Sequence, residues 1–236
     1  MSERIILITG TRKGIGEVLA KYYLSLGDIV IGCSRSVPDW YDEKSFPSYT
    51  HFIADVSSEE DAGKIFSFIR KKYGHLDILI NNAGTASMNH TLLTPMTTVQ
   101  KVIDTNLVGT FLFCREGAKL MRKSQHGRII NFSTAAVALK LPGEAIYTAT
   151  KAAIVSLTEV LAREFSDYKI TVNALGPVLL KTDLIRGVPQ EKLDKVVASQ
   201  AIHRYATYED IENVIDFFIR PESDFITGQV LYLGGL

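Results

Sequence analysis

Two patterns of apolar and polar positions alternate along the chain. Short unbroken runs such as Ile5 to Thr9 are followed by longer stretches in which apolar residues recur every three or four positions. A continuous aliphatic, β-branched run marks a strand covered on both faces, and the longer spacing marks a helix with one buried face. After the first run comes a glycine-rich turn. Ile15, Val18, Leu19, Tyr22 and Tyr23 then keep helical spacing until Gly27, which predicts the stop of that helix. Ile29 to Cys33 reads as a second strand, residues 36 to 49 as a polar loop with Pro38 and Pro47, and Phe52 to Ala54 as a short third strand. Either Ser57 with Glu60 or Ser58 with Asp61 caps the next helix, whose apolar face is Ala62, Ile65, Phe66 and Ile69. Arg70, Lys71 and Lys72 suit the negative end of its dipole. Ile78 to Ile80 and Arg128 to Phe132 read as the fourth and fifth strands, separated by a helical stretch over roughly 97–123. A helix over about 147–165, a strand near 169–175, a helix capped by Thr207 and Asp210, and a strand over Val230 to Leu233 complete the series.

Strand–helix alternation implies parallel strands joined by right-handed crossovers. The expected fold is α/β: a single-domain, Rossmann-type, doubly wound parallel sheet of about seven strands with helices on both faces. No linker, repeat or low-complexity tract divides residues 1–236. Residues 178–203 fit no sheet element and are long for a connection, so a substrate lid is expected there.

Composition narrows the function more than the fold. Hydrophobic residues make up 46% and charged residues 22%, an ordinary globular balance. Lys plus Arg equals Asp plus Glu at 26 each, so there is no general pull toward nucleic acid or an anionic membrane, and little charge opposes self-association. Cys33 and Cys114 both lie in apolar runs and read as small buried hydrophobes of a reducing compartment. The opening MSERIILITG is too short for a signal h-region, and no stretch reaches the roughly 18 apolar residues of a membrane span. A cytoplasmic protein is expected. His51, His75, His90, His126 and His203 are scattered and read as surface or loop residues, and no His, Cys or carboxylate cluster suggests a metal.

The first turn, Thr9-Gly10-Thr11-Arg12-Lys13-Gly14-Ile15-Gly16, lies between a buried strand and an amphipathic helix. Glycines let backbone approach a pyrophosphate, and the helix start offers free N–H groups. An acid at the end of the second strand would accept the ribose hydroxyls of NAD. Here Ser34 and Arg35 stand instead, with Lys13 beside the same pocket, which favours the 2′-phosphate of NADP(H). Tyr147 and Lys151 are four apart and share a helix face. A free phenol titrates near pH ~10, and a neighbouring ammonium is expected to lower that value.

These motifs, in this order, resemble the short-chain dehydrogenase/reductase family over almost the whole chain. The matching residues are the glycine turn, Asn81-Asn82-Ala83-Gly84, Asn106, Tyr147-x-x-x-Lys151, Thr227-Gly228-Gln229 and Gly234-Gly235. The look is nearest to 3-oxoacyl-thioester reductases and small carbonyl reductases. The resemblance implies an NADPH-dependent oxidoreductase that interconverts a carbonyl and an alcohol, with Tyr147 as general acid/base, Lys151 orienting the cofactor, and Asn106 linking Lys151 to solvent. A hydroxyl lies thirteen residues before the tyrosine in most relatives; the count lands on Thr134, with Ser133 as the alternative. Cofactor contacts are implied for Gly10, Thr11, Arg12, Lys13, Gly14, Ile15, Gly16, Ser34, Arg35, Asp55, Val56, Asn82, Ala83, Gly84, Tyr147, Lys151, Pro177, Leu180 and Thr182. The chain departs from the family at Gly176-Pro177-Val178, where Pro-Gly is usual, and Val178 is expected to add bulk beside the nicotinamide. In the lid, Ile185, Val188 and Leu193 hint at an apolar wall. The substrate is a small carbonyl or alcohol. An NADP-dependent dehydrogenase of a sugar, steroid or other secondary alcohol stays open, as does a non-catalytic NADP-sensing or scaffold protein. A homodimer or homotetramer is expected through the helices near 97–123 and 147–165.

Overall fold

Seven parallel strands form one sheet in the order β3-β2-β1-β4-β5-β6-β7. They are β1 (Ile5–Thr9), β2 (Ile29–Ser34), β3 (Tyr49–Ile53), β4 (Ile78–Asn81), β5 (Gly127–Phe132), β6 (Ile170–Gly176) and β7 (Val230–Tyr232). The computed structural model describes residues 3–124, 126–181 and 187–235. Strand order reverses beside β1, so the carboxyl ends of β1 and β4 flank the crevice in which such sheets bind ligands.

The unbroken apolar run of β1 is explained by its two faces. Ile5 and Leu7 enter one core with Ile65, Phe66, Phe113 and Ile129, while Ile6 and Ile8 enter another with Leu19, Tyr23, Ile215 and Phe218. The first core lies under α2 (Glu59–Lys72), α4 (Gly109–Met121) and α6 (Ala145–Glu164); the second lies under α1 (Ile15–Ser25) and α8 (Tyr208–Ile219). Of the two capping options for α2, Ser58 accepts from the Asp61 N–H. Thr207 and Asp210 form the reciprocal box of α8. By length and mean hydropathy α6 could cross a membrane, although polar residues interrupt its apolar ones. Its Ile154, Leu161 and Ala162 are buried, which accounts for an apolar face in a helix of a folded domain.

Four further details depart from expectation. The helical stretch before β5 is two helices, α3 (Met96–Ile103) and α4, joined by a π-turn over Asp104–Val108. A short helix, α5 (Ala136–Leu139), follows β5. β3 begins at Tyr49, so the polar loop before it ends early; Trp40 and Tyr41 from that loop pack on Tyr49, and Phe46 packs on Trp40. Within the expected lid, Leu180 pairs with Ala206 in an isolated parallel bridge, and α7 spans Gln190–Ala198. Thr182 and Ile185 lie outside the described residues.

The order Gly176-Pro177 has a steric cause. Gly176 stands opposite Tyr232 in the β6–β7 register, and a Cβ there would sit 2.3 Å from the Tyr232 ring. Val178 is buried, and a Cβ on Gly234 would lie 3.1 Å from its Cγ1, so its bulk is taken up against the C-terminal segment.

Candidate active site

The glycine turn is shaped by close approaches that only glycine allows. Gly10 has φ +76°, and a Cβ there would lie 2.9 Å from Ala83 Cα; one on Gly16 would lie 2.2 Å from the Gly10 carbonyl oxygen. Asn82 Nδ2 donates to the Thr9 carbonyl at 2.9 Å, and the Ala83 N–H donates to Thr9 Oγ1 at 2.9 Å, which ties the end of β4 to the turn. Gly14 begins α1 with no side-chain cap, and the space where its Cβ would be is open. An uncapped helix start facing open space fits a phosphate group.

Arg12, Lys13 and Arg35 are exposed around this opening. Asp55 holds Ser57 through its N–H and hydroxyl, at 2.9 and 2.6 Å. Those hydrogen bonds, chiefly the one from the Ser57 hydroxyl, hold the Asp55 carboxyl below its usual range, with help from nearby Arg35. Val56 and Leu180 turn their side chains into the cores, Ile15 packs at the edge of one, and Pro177 offers its carbonyl to the Ala135 N–H at 2.9 Å.

At the other end, β5 and α6 bring the reacting groups together. Tyr147 is buried at 8% exposure and Lys151 at 4%. Lys151 Nζ donates to the Phe132 carbonyl at 2.6 Å. Gly84 lies alongside this ammonium: a Cβ there would be in ordinary contact, 3.5 Å from both Lys151 Nζ and Asn106 Oδ1. Asn106 sits fully buried in the π-turn, accepts from the Thr85 N–H at 2.8 Å, and donates to the Thr85 carbonyl and to Thr150 Oγ1 at 2.9 and 3.1 Å. π-turns are rare and concentrate at functional sites, and this one aims the asparagine across to α6.

The structure separates the two candidate hydroxyls. Ser133 Oγ donates to the Lys151 carbonyl at 3.1 Å, so it fastens β5 to α6 and faces away from the phenol. Thr134 accepts from the Ala136 N–H at 3.3 Å, and its hydroxyl hydrogen-bonds the Tyr147 phenol. Of the two, the Thr134 hydroxyl is the one beside the phenol, while that of Ser133 is engaged by the Lys151 carbonyl.

One correction concerns the phenol. Burial pushes the Tyr147 pKa up to about 12, opposed by the Thr134 hydrogen bond and reinforced by the Glu144 carboxylate. Burial also pulls Lys151 down to about 8. The expected lowering of the phenol by Lys151 is outweighed by burial of the phenol. Sequence reasoning missed Glu144, which stands three positions before Tyr147 and is itself shifted up by burial. It also missed His51, which lies half-buried on β3 rather than on a surface loop. An acid one helical turn ahead of a tyrosine was a usable signal for the first; the cluster of aromatic residues from Trp40 to Tyr49 was one for the second. Among the described residues no group of three His, Cys, Asp or Glu side chains is placed to hold a metal. Cys33 and Cys114 are free and buried.

Comparison with known proteins agrees with this geometry. A family model described as enoyl-(acyl carrier protein) reductase, of the short-chain dehydrogenase type, matches residues 10–235. The chain is 32% identical over 231 residues to the 3-oxoacyl-(acyl-carrier-protein) reductase FabG of Rickettsia felis, covering 97% of this chain and 94% of that one. Among solved structures, ElxO with NADP bound superposes with a TM-score of 0.87 at 30% identity, covering 98% of this chain and 97% of that one. A 4-hydroxyisoleucine dehydrogenase complexed with NADH does so at 0.86 and 29%, covering 99% and 98%. The glycine turn, the buried Tyr147–Lys151 pair and a match over nearly the full length together place this chain in the short-chain dehydrogenase/reductase family.

Proposed function

We propose that this chain is an NADPH-dependent carbonyl reductase in which Tyr147 gives the proton and Thr134 helps to hold the substrate oxygen. One observation carries the reading: a buried phenol, kept neutral at ordinary pH, is hydrogen-bonded to Thr134 and lies one helical turn from Lys151. A phenol with a pKa of about 12 is a loaded proton donor at pH 7, whereas the reverse reaction needs the scarce phenolate. Lys151 donates to Phe132 and lies against Gly84, where it can also meet a ribose, and Asn106 fixes the wall beside it. NADPH, when bound, supplies the hydride.

The chain's own residues suit that nucleotide. The α1 start and the glycines from Gly10 to Gly16 accommodate the pyrophosphate; Arg12, Lys13 and Arg35 meet a 2′-phosphate; Asp55 and Val56 border the adenine; Asn82 to Gly84 hold the turn. Solved relatives carry either NADP or NADH, so the preference rests on these cations. Pro177, Leu180 and Thr182 begin the segment that we take to close over the substrate through residue 203. Self-association through α4 and α6 is supported by exposed Phe111 and Val160 on these helices and Val108 at the end of the π-turn. A cytoplasmic site of action accords with the two buried, free thiols.

The substrate class to test first is a 3-oxoacyl thioester, on the strength of the similarity to FabG. The experiment follows absorbance of NADPH, and separately of NADH, with a short 3-oxoacyl thioester. Turnover with NADPH and much weaker turnover with NADH is the expected result. Tight NADPH binding without turnover would reject the thioester and leave the carbonyl-reductase reading for sugars and cyclic ketones. Failure to bind either nucleotide would reject the whole reading.

A further inference from the structure

Four side chains from three segments form an unbroken hydrogen-bond chain beneath the nucleotide end of the cleft. Thr11 Oγ1 and Tyr49 Oη are 2.8 Å apart, Tyr49 Oη and His51 Nδ1 are 2.9 Å apart, and His51 Nε2 and Ser34 Oγ are 3.2 Å apart. Ser34 Oγ then donates to the Ser36 carbonyl at 2.8 Å. That last bond sets the direction of the rest by donor counting. Ser34 spends its proton on Ser36, so it accepts from His51 Nε2–H; Nδ1 is left to accept from Tyr49, and Tyr49 accepts from Thr11. The direction requires a neutral imidazole, and burial lowers the His51 pKa, opposed by its bond to the Ser36 backbone. The titratable groups facing the ring are the phenols of Tyr41 and Tyr49.

The surroundings are built to admit this chain. A Cβ on Gly32 would lie 2.1 Å from Tyr49 Oη and 2.6 Å from Thr11 Oγ1, so the bond exists only because residue 32 has no side chain. Trp40 covers it from outside: its indole N–H donates to the Thr11 carbonyl at 3.0 Å, and its ring lies 4.9 Å from that of Tyr49.

The two ends of the chain are the two places from which the cations project. Thr11 is followed by Arg12 and Lys13, and Ser34 by Arg35. Resting on the NADPH reading above, we propose that Tyr49 and His51 are positioning residues for nucleotide selectivity. The Gly10 and Thr11 N–H groups already donate to the Cys33 carbonyl at 2.8 and 3.2 Å, and the side-chain chain adds a second tie between the turn and Ser34 that fixes the aim of Arg12, Lys13 and Arg35 on a single 2′-phosphate. A phosphate gripped from two sides needs that aim fixed; a 2′-hydroxyl does not.

The test is calorimetric titration of the intact protein with 2′,5′-ADP and with 5′-AMP, which differ by the 2′-phosphate. Wild type should prefer 2′,5′-ADP. Tyr49→Phe keeps the ring that packs on Trp40 and removes only the oxygen. It should weaken 2′,5′-ADP about tenfold, the equivalent of one hydrogen bond of ordinary strength, and leave 5′-AMP within about twofold. His51→Ala should behave like Tyr49→Phe. His51→Gln, whose amide still accepts from Tyr49 and donates to Ser34, should restore the preference, which a merely structural role would not predict. An unchanged preference in Tyr49→Phe, or equal weakening of both ligands, would overturn this inference alone. A wild type without preference would overturn it together with the NADPH reading.

Discussion

The two ends of the cleft are built in opposite ways. At the reacting end Asn106, Tyr147 and Lys151 are buried, and their bonds run largely to backbone: Lys151 to Phe132, Asn106 to Thr85, and Ser133 back to Lys151. At the nucleotide end Arg12, Lys13 and Arg35 are exposed, and beneath them the backbone bonds of Gly10 and Thr11 to Cys33 are joined by the Thr11–Tyr49–His51–Ser34 chain. Burial tunes the first end, since desolvation is the largest cause moving Tyr147 up and the cause moving Lys151 down. Placement tunes the second, since exposed charges stay hydrated and gain only from being aimed together. Damage at one end should therefore change rate, and damage at the other should change the choice of nucleotide.

The largest expected effect is at the reacting end. Lys151→Ala removes the ammonium and leaves the Phe132 carbonyl buried without its donor. Turnover at saturating NADPH should fall about a thousandfold, within the range that positioned proton-handling groups supply; steady-state kinetics checks this. Next is Arg35→Ala at the other end, which should weaken NADPH about tenfold and leave NADH nearly unchanged, as read by titration of each nucleotide. Equal weakening of both would erase the division between the ends. Gly32→Ala drives a methyl into Tyr49 and Thr11. It should cost about 1–3 kcal/mol, seen as a lower midpoint in thermal unfolding, together with loss of nucleotide preference. The smallest effect sharpens the electrostatic side. Glu144 raises the Tyr147 pKa, so Glu144→Gln should lower it. Alcohol oxidation, which needs the phenolate, rises with pH; its rise should move to lower pH by less than about one unit in the variant, measured as a rate profile.

The same division governs how much could be read from sequence. The strands were legible because runs such as Ile5 to Thr9 are buried on both faces, and burial writes itself as an unbroken apolar string. Tyr147 and Lys151 were legible because they share one face of one helix. Counting thirteen back from Tyr147 lands on the hydroxyl that reaches the phenol, while Ser133 is turned to α6. The π-turn at Asn106 was not legible: one extra residue in a helical turn barely disturbs an apolar period over 97–123. The support under the nucleotide was not legible either. Trp40, Tyr41 and Phe46 have no period, and each acquires its partner only when the loop folds back on Tyr49. The phenol's upward shift escaped for a related reason. Spacing shows that Lys151 is near, but only the fold shows how deeply the phenol is buried.

The central claim is that Tyr147 supplies the proton. Its most direct test is Tyr147→Phe, with the NADPH dissociation constant and single-turnover reduction measured on the same preparation. The expected result is an affinity within about twofold of wild type and a reduction rate lower by at least about a hundredfold. Retained reduction would contradict the claim, and so would an affinity that falls in step with the rate.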